Sequence, residues 1–130
     1  MDSVLLDTNV ISFYEKCDSR ATLYDKHLSG KRHVVCFMSV AELYRWTIGR
    51  GWGASRVAKL RERLNKYVIV PYDDALAWEW AQISTIKGHP IAVDDAWIAA
   101  AARLYRLPLV THNRKHFERI PGLDVISEAP

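Results

Sequence analysis

The sequence predicts an α/β protein with a parallel central sheet of about four to five strands flanked by helices. Short apolar runs such as "SVLL" and "HVVCFM" predict buried strands, because they are β-compatible and too short for helices. Longer segments with helical periodicity stand between these runs, and strands that alternate with helices are typical of a doubly wound parallel sheet. The length of 130 residues, without a repeat or a linker, favours one domain over residues 1–130.

The first part of the chain predicts two strands and three helices. Ser39 is a plausible N-cap of the third helix, and Glu42 stands three residues later, at the capping-box position. In chain order the elements are strand "SVLL", helix "TNVISFYEK", a helix over residues 19–28, strand "HVVCFM" and helix "SVAELYRWTIG".

The second part of the chain follows a glycine-rich break, "GRGWGAS". Its elements are helix "SRVAKLRERLNKY", strand "YVIVPY", helix "DDALAWEWAQISTIK", helix "DDAWIAAAARLYR", strand "LPLVT" and a candidate fifth strand, "LDVI". "GHPIAV" is predicted as the loop before the alanine-rich helix.

Composition excludes several classes of protein. The apolar fraction of 49% and the charged fraction of 25% are ordinary for a globular protein. No apolar run approaches transmembrane length and the first residues do not resemble a signal peptide, so we expect no membrane association and a cytoplasmic location. Two cysteines are too few for a disulfide scaffold, and Cys36 is predicted to be a buried thiol. The five histidines lack the spacing of a zinc site.

Acidic and amide residues follow the predicted strands at well-separated points of the chain. Asp7 follows the first strand, Glu42 the second and Asn113 the fourth, while Asp94 and Asp95 open the alanine-rich helix. Because the carboxyl ends of parallel strands share one edge of the sheet, we expect these side chains to meet in one crevice. Carboxylates so close together repel one another, and a hard cation such as Mg²⁺ or Mn²⁺ would offset the repulsion.

The acids are also compatible with roles other than metal binding. Each could cap its own helix, with Glu42 in the capping box. A phosphatase with an aspartyl nucleophile needs a second Asp two residues after Asp7, and Asn9 at that position argues against this class. A binding module without catalysis could use the same acidic pocket to hold an arginine of a partner.

Four segments together, in this order, resemble the PIN-domain family and more narrowly the VapC-type toxins of toxin–antitoxin pairs. They are "LLDTNVI", "SVAEL", "DDAWIAAAA" and "LVTHNRKHFERIPGL", and the resemblance covers nearly the whole chain. It implies a metal-dependent endoribonuclease that is usually a homodimer and is silenced by a small cognate antitoxin. The alternative is a catalytically silent PIN-like module that binds RNA or a protein through its acidic pocket.

The resemblance carries over residue by residue. It implies that Asp7, Glu42 and Asp95 are catalytic and hold Mg²⁺ or Mn²⁺, with Asp94 as a weaker candidate ligand. Asn113 stands where the wider family often has a fourth acid, and an amide without charge puts a second tightly held metal in doubt. The neighbouring polar residues that could orient the carboxylates or hold waters are Thr8, Asn9 and Thr111.

Basic residues outnumber acidic ones by 18 to 15, for a net charge of +3, and the excess grows once the site acids are set aside. A basic surface around an acidic site suits an RNA substrate. The candidate RNA contacts are Arg114 and Lys115 with His116, and a stripe of basic residues on the helix after the glycine-rich break, Arg56, Lys59, Arg63 and Lys66. This stripe could equally be an ordinary solvated face of that helix.

Two tryptophans, Trp46 and Trp52, are candidates for a dimer or antitoxin interface.

Overall fold

A computed structural model describes residues 2–130, and its five strands form a parallel sheet. The strands are β1 (Ser3–Leu6), β2 (Arg32–Cys36), β3 (Val68–Val70), β4 (Leu109–Val110) and β5 (Val125–Ile126). Their order across the sheet is β3-β2-β1-β4-β5. The predicted fold class is confirmed, including the fifth strand.

Helices cover both faces of this sheet. They are α1 (Thr8–Glu15), a 3₁₀ helix (Ser19–Tyr24), α2 (Asp25–Leu28), α3 (Phe37–Gly49), α4 (Ala54–Leu64), α5 (Asp74–Ser84), α6 (Val93–Leu104) and α7 (Arg114–Phe117). Within residues 2–130, every helix is too short or too polar to span a bilayer.

The predicted boundary between the second strand and the third helix differs from the structure. β2 ends at Cys36, and α3 begins at Phe37 rather than at Ser39. Ser39 is therefore not an N-cap; it is fully buried in the first turn of α3, and its hydroxyl lies 2.8 Å from that of Thr8. Glu42 consequently lies in the second turn, where it is not part of a capping box.

The predicted helix over residues 19–28 is a 3₁₀ helix followed by a single α-helical turn. Residues three apart lie on the same side of a 3₁₀ helix. Ala21 and Tyr24 have this spacing and are both buried, so the tighter winding places both against the core.

The two faces of the sheet bury alternate residues of the strands, as the twofold period of a strand requires. Leu5 points into the core under α5 and α6, while Val4 and Leu6 point into the core under α1, α3 and α4. Three consecutive apolar residues are thus needed in β1 because both of its faces are covered.

Helix α6 lies between the sheet and α5 and is buried on almost all sides. Residues 98–102, an isoleucine followed by four alanines, are 0–1% exposed. Small side chains let the helix approach both neighbours closely, and Arg103 of α6 also forms an ion pair with Glu79 of α5. This packing fixes the position of the acids at the start of α6.

Replacing one of these alanines should therefore disturb the fold. We expect Ala100→Leu to lower the free energy of unfolding by about 1–3 kcal/mol, because the close-packed site has no room for three more carbons. The control is Ala58→Leu on the exposed side of α4, which should change it by less than about 0.5 kcal/mol. Equal effects of the two variants in denaturant unfolding would contradict the close packing of α6.

Candidate active site

An acidic pocket of about 430 Å³ opens at the carboxyl edge of the sheet, and all five predicted ligands line it. The chain runs from β1 outward to β3 and then returns to place β4 on the other side of β1. The crevice between β1 and β4 is thus the point where the strand order reverses, which is the usual ligand site of such sheets. The lining includes Asp7, Glu42, Asp94, Asp95 and Asn113, together with Thr8 and Asn9.

The carboxylate of Asp7 is the most deeply buried group of the acidic pocket, at 3% exposure. Its Oδ1 accepts a hydrogen bond from the backbone N–H of Thr8 at 2.7 Å, and its Oδ2 accepts one from the hydroxyl of Thr111 at 2.7 Å. The backbone N–H of Asp7 donates to Val110 at 2.9 Å. Asp7 is also the N-cap of α1, so the capping role holds for this residue beside any role in the site.

Burial raises the pKa of Asp7 to about 6. The hydrogen bond from Thr111 lowers this pKa, the negative charge of Asp95 raises it, and the hydrogen bond from Thr8 lowers it. The ionised side chain is therefore held in place by neutral donors, while its charge is left without a full counter-charge. A cation beside it would supply one.

Glu42 reaches the same pocket from the second turn of α3. Its Oε1 accepts a hydrogen bond from the hydroxyl of Thr8 at 2.7 Å. Burial raises the pKa of Glu42 to about 7, with the adjoining Asp94 carboxyl acting in the same direction and the hydrogen bond from Thr8 opposing them. Glu42 and Asp94 are thus close enough to compete for one proton or one cation.

The two acids of α6 do not cap their helix. The N-cap position is Ala92, and the structure describes no side-chain capping bond there. Burial and the charge of Asp94 raise the pKa of Asp95, while His116 lowers it. The ring Nδ1 of His116 lies 3.0 Å from Oδ2 of Asp95, so this histidine, suggested as a phosphate contact, instead meets a carboxylate of the site.

The loop after β4 supplies the remaining polar groups. Thr111 is fully buried behind Asp7, and its hydroxyl also accepts a hydrogen bond from the backbone N–H of Asn113 at 2.9 Å. Asn113 makes no capping bond from its side chain within the described chain. Oδ1 of Asn9 accepts a hydrogen bond from the backbone N–H of His112 at 3.3 Å, which ties the start of α1 to this loop.

Sequence reasoning missed the groups that support this loop from behind. Tyr24 is fully buried, and its hydroxyl lies 2.5 Å from Nδ1 of His112. The same hydroxyl accepts a hydrogen bond from the backbone N–H of Glu128 at 3.1 Å. A buried tyrosine needs a polar partner, but the partner here is 88 residues away along the chain. Ser12 of the pocket lining and the buried Ser39 were also missed.

The candidate RNA contacts fall into two groups. Arg114 and Lys115 are exposed on α7, next to the acidic pocket. On α4, Arg63 donates from Nε to Glu15 at 2.9 Å, and the guanidinium of Arg56 lies 3.9 Å from the centre of the Trp52 ring. These contacts hold two of the four stripe residues against the protein's own surface. RNA binding by the stripe, which also contains Lys59 and Lys66, stays a prediction.

The interface role of Trp46 and Trp52 stays a prediction as well. Trp46 and Trp52 pack edge to face at 4.9 Å, and each is only half-buried. Nε1 of Trp46 is buried without a hydrogen-bond partner in the described part of the chain.

The residues of the pocket fit a hard divalent cation. Among residues 2–130, no three His, Cys, Asp or Glu side chains converge tightly enough to hold one ion. The acids instead repel one another across the pocket: Asp95 raises the pKa of Asp7, and Asp94 raises the pKa of both Glu42 and Asp95. Mg²⁺ is usually held by one or two carboxylates and keeps several waters. Oxygen-only donors with unbalanced negative charge suit that kind of ion and do not suit zinc.

Known proteins resemble this chain over most of its length, in sequence and in fold. The sequence matches the PIN domain family over residues 4–123, a range that includes every predicted ligand. It is 32% identical over 126 residues to Ribonuclease VapC1 of Haemophilus influenzae strain R2866, and the alignment covers 92% of each chain. It is 26% identical over 122 residues to the tRNA(fMet)-specific endonuclease VapC of Shigella flexneri, also with 92% of each chain covered. The fold is similar to that of VapBC-1 from nontypeable Haemophilus influenzae, with a TM-score of 0.77, 25% identity and coverage of 96% of this chain and 97% of the other.

The raised pKa of Asp7 gives the acidic pocket a pH signature. In the folded state this carboxyl has a pKa of about 6 against an ordinary value of 3.8, so ionisation destabilises the fold as the pH rises between these values. In chelator, we compare the free energy of unfolding of Asp7→Asn with that of the parent. We expect the difference to shift by about 2 kcal/mol in favour of the variant when the pH is raised from 4.5 to 7.5. Urea unfolding at both pH values measures this difference. A difference that does not change with pH would contradict the burial of an unbalanced charge.

Repulsion between the acids can be tested without RNA. We expect Asp95→Asn to raise the free energy of unfolding in chelator by about 1 kcal/mol, because it removes one charge and keeps an acceptor for His116. Millimolar Mg²⁺ or Mn²⁺ should shrink or reverse the difference, since the parent gains more binding free energy. Asn113→Asp should lower stability in chelator and increase the stabilisation by Mn²⁺.

The matched control for this test is Asp74→Asn. Asp74 also lies in the first turn of a helix, is exposed, and leaves the cap to Asp73. The free energy of unfolding of Asp74→Asn should be lower than that of the parent by only about 0.3–1 kcal/mol, the favourable interaction of Asp74 with the helix dipole. Added metal should not change this difference. If Asp95→Asn behaves as Asp74→Asn does in thermal unfolding, the acids of α6 do not belong to a cation site.

Proposed function

The chain belongs to the PIN-domain family, and from that premise we propose that it is a VapC-type endoribonuclease that uses Mg²⁺ or Mn²⁺, the toxin of a type II toxin–antitoxin pair. The observation that carries the proposal is the acidic pocket itself, where polar and acidic groups from four separate segments face one crevice with raised pKa values for Asp7 and Glu42. The ribonuclease and endonuclease names of the relatives support the reaction class. The proposal takes residues 1–130 as one PIN-like domain that acts in the cytoplasm.

In this proposal the carboxylates of Asp7, Glu42 and Asp95 hold the cation, directly or through water. Asp94 and Asn113 are the weaker candidates for the same role. A bound Mg²⁺ or Mn²⁺ supplies an activated water and offsets the negative charge that develops on the phosphate.

The other residues of the pocket keep the carboxylates in position. Thr8 donates its backbone N–H to Asp7 and its hydroxyl to Glu42, so it links two ligands from different elements. Thr111 holds the second oxygen of Asp7. Because every one of these donors is neutral, they orient the acids without neutralising them, and the charge remains available to a cation. No side chain is assigned as a covalent nucleophile.

The alternative is a silent module in which an arginine of a partner takes the place of the cation. A guanidinium would also offset the repulsion between Asp7 and Asp95. A metal-dependent cleavage assay separates the two, because a silent module binds RNA or protein without releasing products.

The proposed partners are an RNA substrate, a small antitoxin and a second copy of the chain. The solved VapBC-1 structure supports the antitoxin as a partner. The relative named for tRNA(fMet) makes tRNA the first substrate to test.

Removing a ligand tests the proposal directly. We expect Asp7→Ala to reduce cleavage of total tRNA in Mg²⁺ or Mn²⁺ by at least about 100-fold, because even residues that only orient metal ligands cost 10–100-fold when lost. Asp74→Asn should cleave at the parent rate. The products are measured on denaturing gels, with circular dichroism to establish that each variant is folded. Cleavage by folded Asp7→Ala at the parent rate would refute the site assignment.

A further inference from the structure

A second cavity, of about 520 Å³, adjoins the acidic pocket; we call it the flanking cavity. The two share Ala92, Asp95 and His116 as a common wall. The loop between α5 and α6 forms one side of the flanking cavity, and α7 with the turn after it forms the other. Its volume is within the range of about 300–1,000 Å³ that small-molecule sites occupy.

Apolar side chains line the inner part of the flanking cavity. Ile83 and Ile120 belong to the buried core, so the floor is rigid. Ile86 and Ile91 are half-buried on the loop side, next to Pro90. The loop can turn here because Gly88 adopts a φ of +79°, which other residues rarely accept. Aliphatic walls of this kind suit the flat face of a nucleobase.

Cations line the outer part. Lys115 lies in α7 and Arg119 in the turn that follows it, and both line the flanking cavity. Both are exposed, and neither takes part in an ion pair within residues 2–130. Glu118 is the one carboxylate of the lining that is not part of the acidic pocket. The rim therefore offers two free positive charges to a phosphate.

We infer that the flanking cavity binds the nucleotide next to the scissile phosphate, with its base against Ile86, Pro90 and Ile91 and a phosphate at Lys115 and Arg119. This inference rests on the proposed function, which puts the scissile phosphate at the acidic pocket. The shared wall then places the flanking cavity one step along the RNA strand.

A pocket for one base also selects the form of the RNA. Bases of an A-form helix are stacked and paired, whereas those of loops and single strands can be turned outward into a protein. The flanking cavity accordingly favours an unstacked nucleotide in a loop or a single strand beside the cut, and it disfavours a cut within a duplex.

Isoleucine methyl groups provide a direct test. The protein, with its isoleucine δ1-methyls labelled with ¹³C, is titrated in chelator with each of the four ribonucleoside 5′-monophosphates and with ribose 5-phosphate. The concentration is about 10 mM, enough to saturate a millimolar site. We expect at least one mononucleotide to shift the methyls of Ile86 and Ile91 saturably, because an aromatic base changes the shielding of methyls beside it. Ribose 5-phosphate, which has no base, should leave them nearly unmoved, and Ile48 and Ile69, exposed elsewhere, serve as internal controls.

Charge reversal tests the rim. The double variant Lys115→Glu/Arg119→Glu should weaken mononucleotide binding at least about tenfold, the scale of a lost charge-assisted contact. It should also raise the KM for a cleaved RNA at least as much while kcat changes less. The control is Arg32→Glu, a single charge reversal at an exposed residue. Arg32 lies at the amino end of β2, on the edge of the sheet opposite to the acidic pocket. Its binding should stay within about twofold of the parent.

Three results would overturn the inference. In the first, no mononucleotide moves Ile86 or Ile91, as expected if an apolar protein segment is the true occupant. In the second, ribose 5-phosphate shifts them as strongly as the nucleotides. In the third, the double variant binds as Arg32→Glu does. RNA cleavage by the parent without methyl shifts refutes the nucleotide site in the flanking cavity and leaves the proposed function intact. Methyl shifts without any metal-dependent cleavage refute the proposed function, and the flanking cavity is then a nucleotide-binding site with no scissile phosphate beside it.

Discussion

The hydrogen bond from the hydroxyl of Thr111 to the buried carboxylate of Asp7 joins the two strands on which the site depends. Asp7 follows β1 directly, Thr111 follows β4, and these are the strands between which the order of the sheet reverses. A carboxylate this deeply buried is costly unless it is hydrogen-bonded. The contact therefore requires the β1–β4 register in which Leu6 faces Val110, and that register fixes where the loop with Asn113 and α7 begins.

The negative charge of the acids at the carboxyl edge of the sheet is only partly compensated by the protein itself. Around Asp7 the fold provides hydroxyl and amide donors, and these orient carboxylates without cancelling their charge. His116, beside Asp95, is a basic group that lowers the pKa of both Asp7 and Asp95. The folded protein thus holds a repulsion that its own residues relieve only in part. Carboxyl groups with strongly perturbed pKa values are typical of functional sites, so the energetics of the pocket and the metal-dependent reaction proposed for it have a common origin.

Local patterns were sufficient to predict the fold and the meeting of the acids at one edge of the sheet. Apolar runs of strand length alternated with helices, which gave the parallel sheet, and an acid directly after the buried "VLL" was hard to reconcile with packing alone. The end of β2 was mispredicted because Phe37 and Met38 are as compatible with a strand as with the start of α3. The placement of Glu42 at the pocket was predicted in spite of this error, since either boundary leaves it just beyond the same strand end. The contact between Tyr24 and His112, by contrast, joins residues 88 positions apart, and no local pattern encodes it.

The boundary between the acidic pocket and the flanking cavity shows how one short segment can serve two kinds of chemistry. His116 faces the acids and Ile120, four residues later, faces the core, while Lys115 and Arg119 line the flanking cavity. Residues 115–120 therefore supply a histidine to the acidic pocket, and an apolar floor and two positive charges to the flanking cavity. A cation site recognises any phosphodiester, because the phosphate is common to every nucleotide. Groups that contact bases are one source of discrimination between RNA targets, and the flanking cavity is a concave apolar surface that shares a wall with the acids. Variation in the loop between α5 and α6 and in α7 would then change the RNA that is cut while the β1–β4 junction, and the chemistry it supports, stays constant.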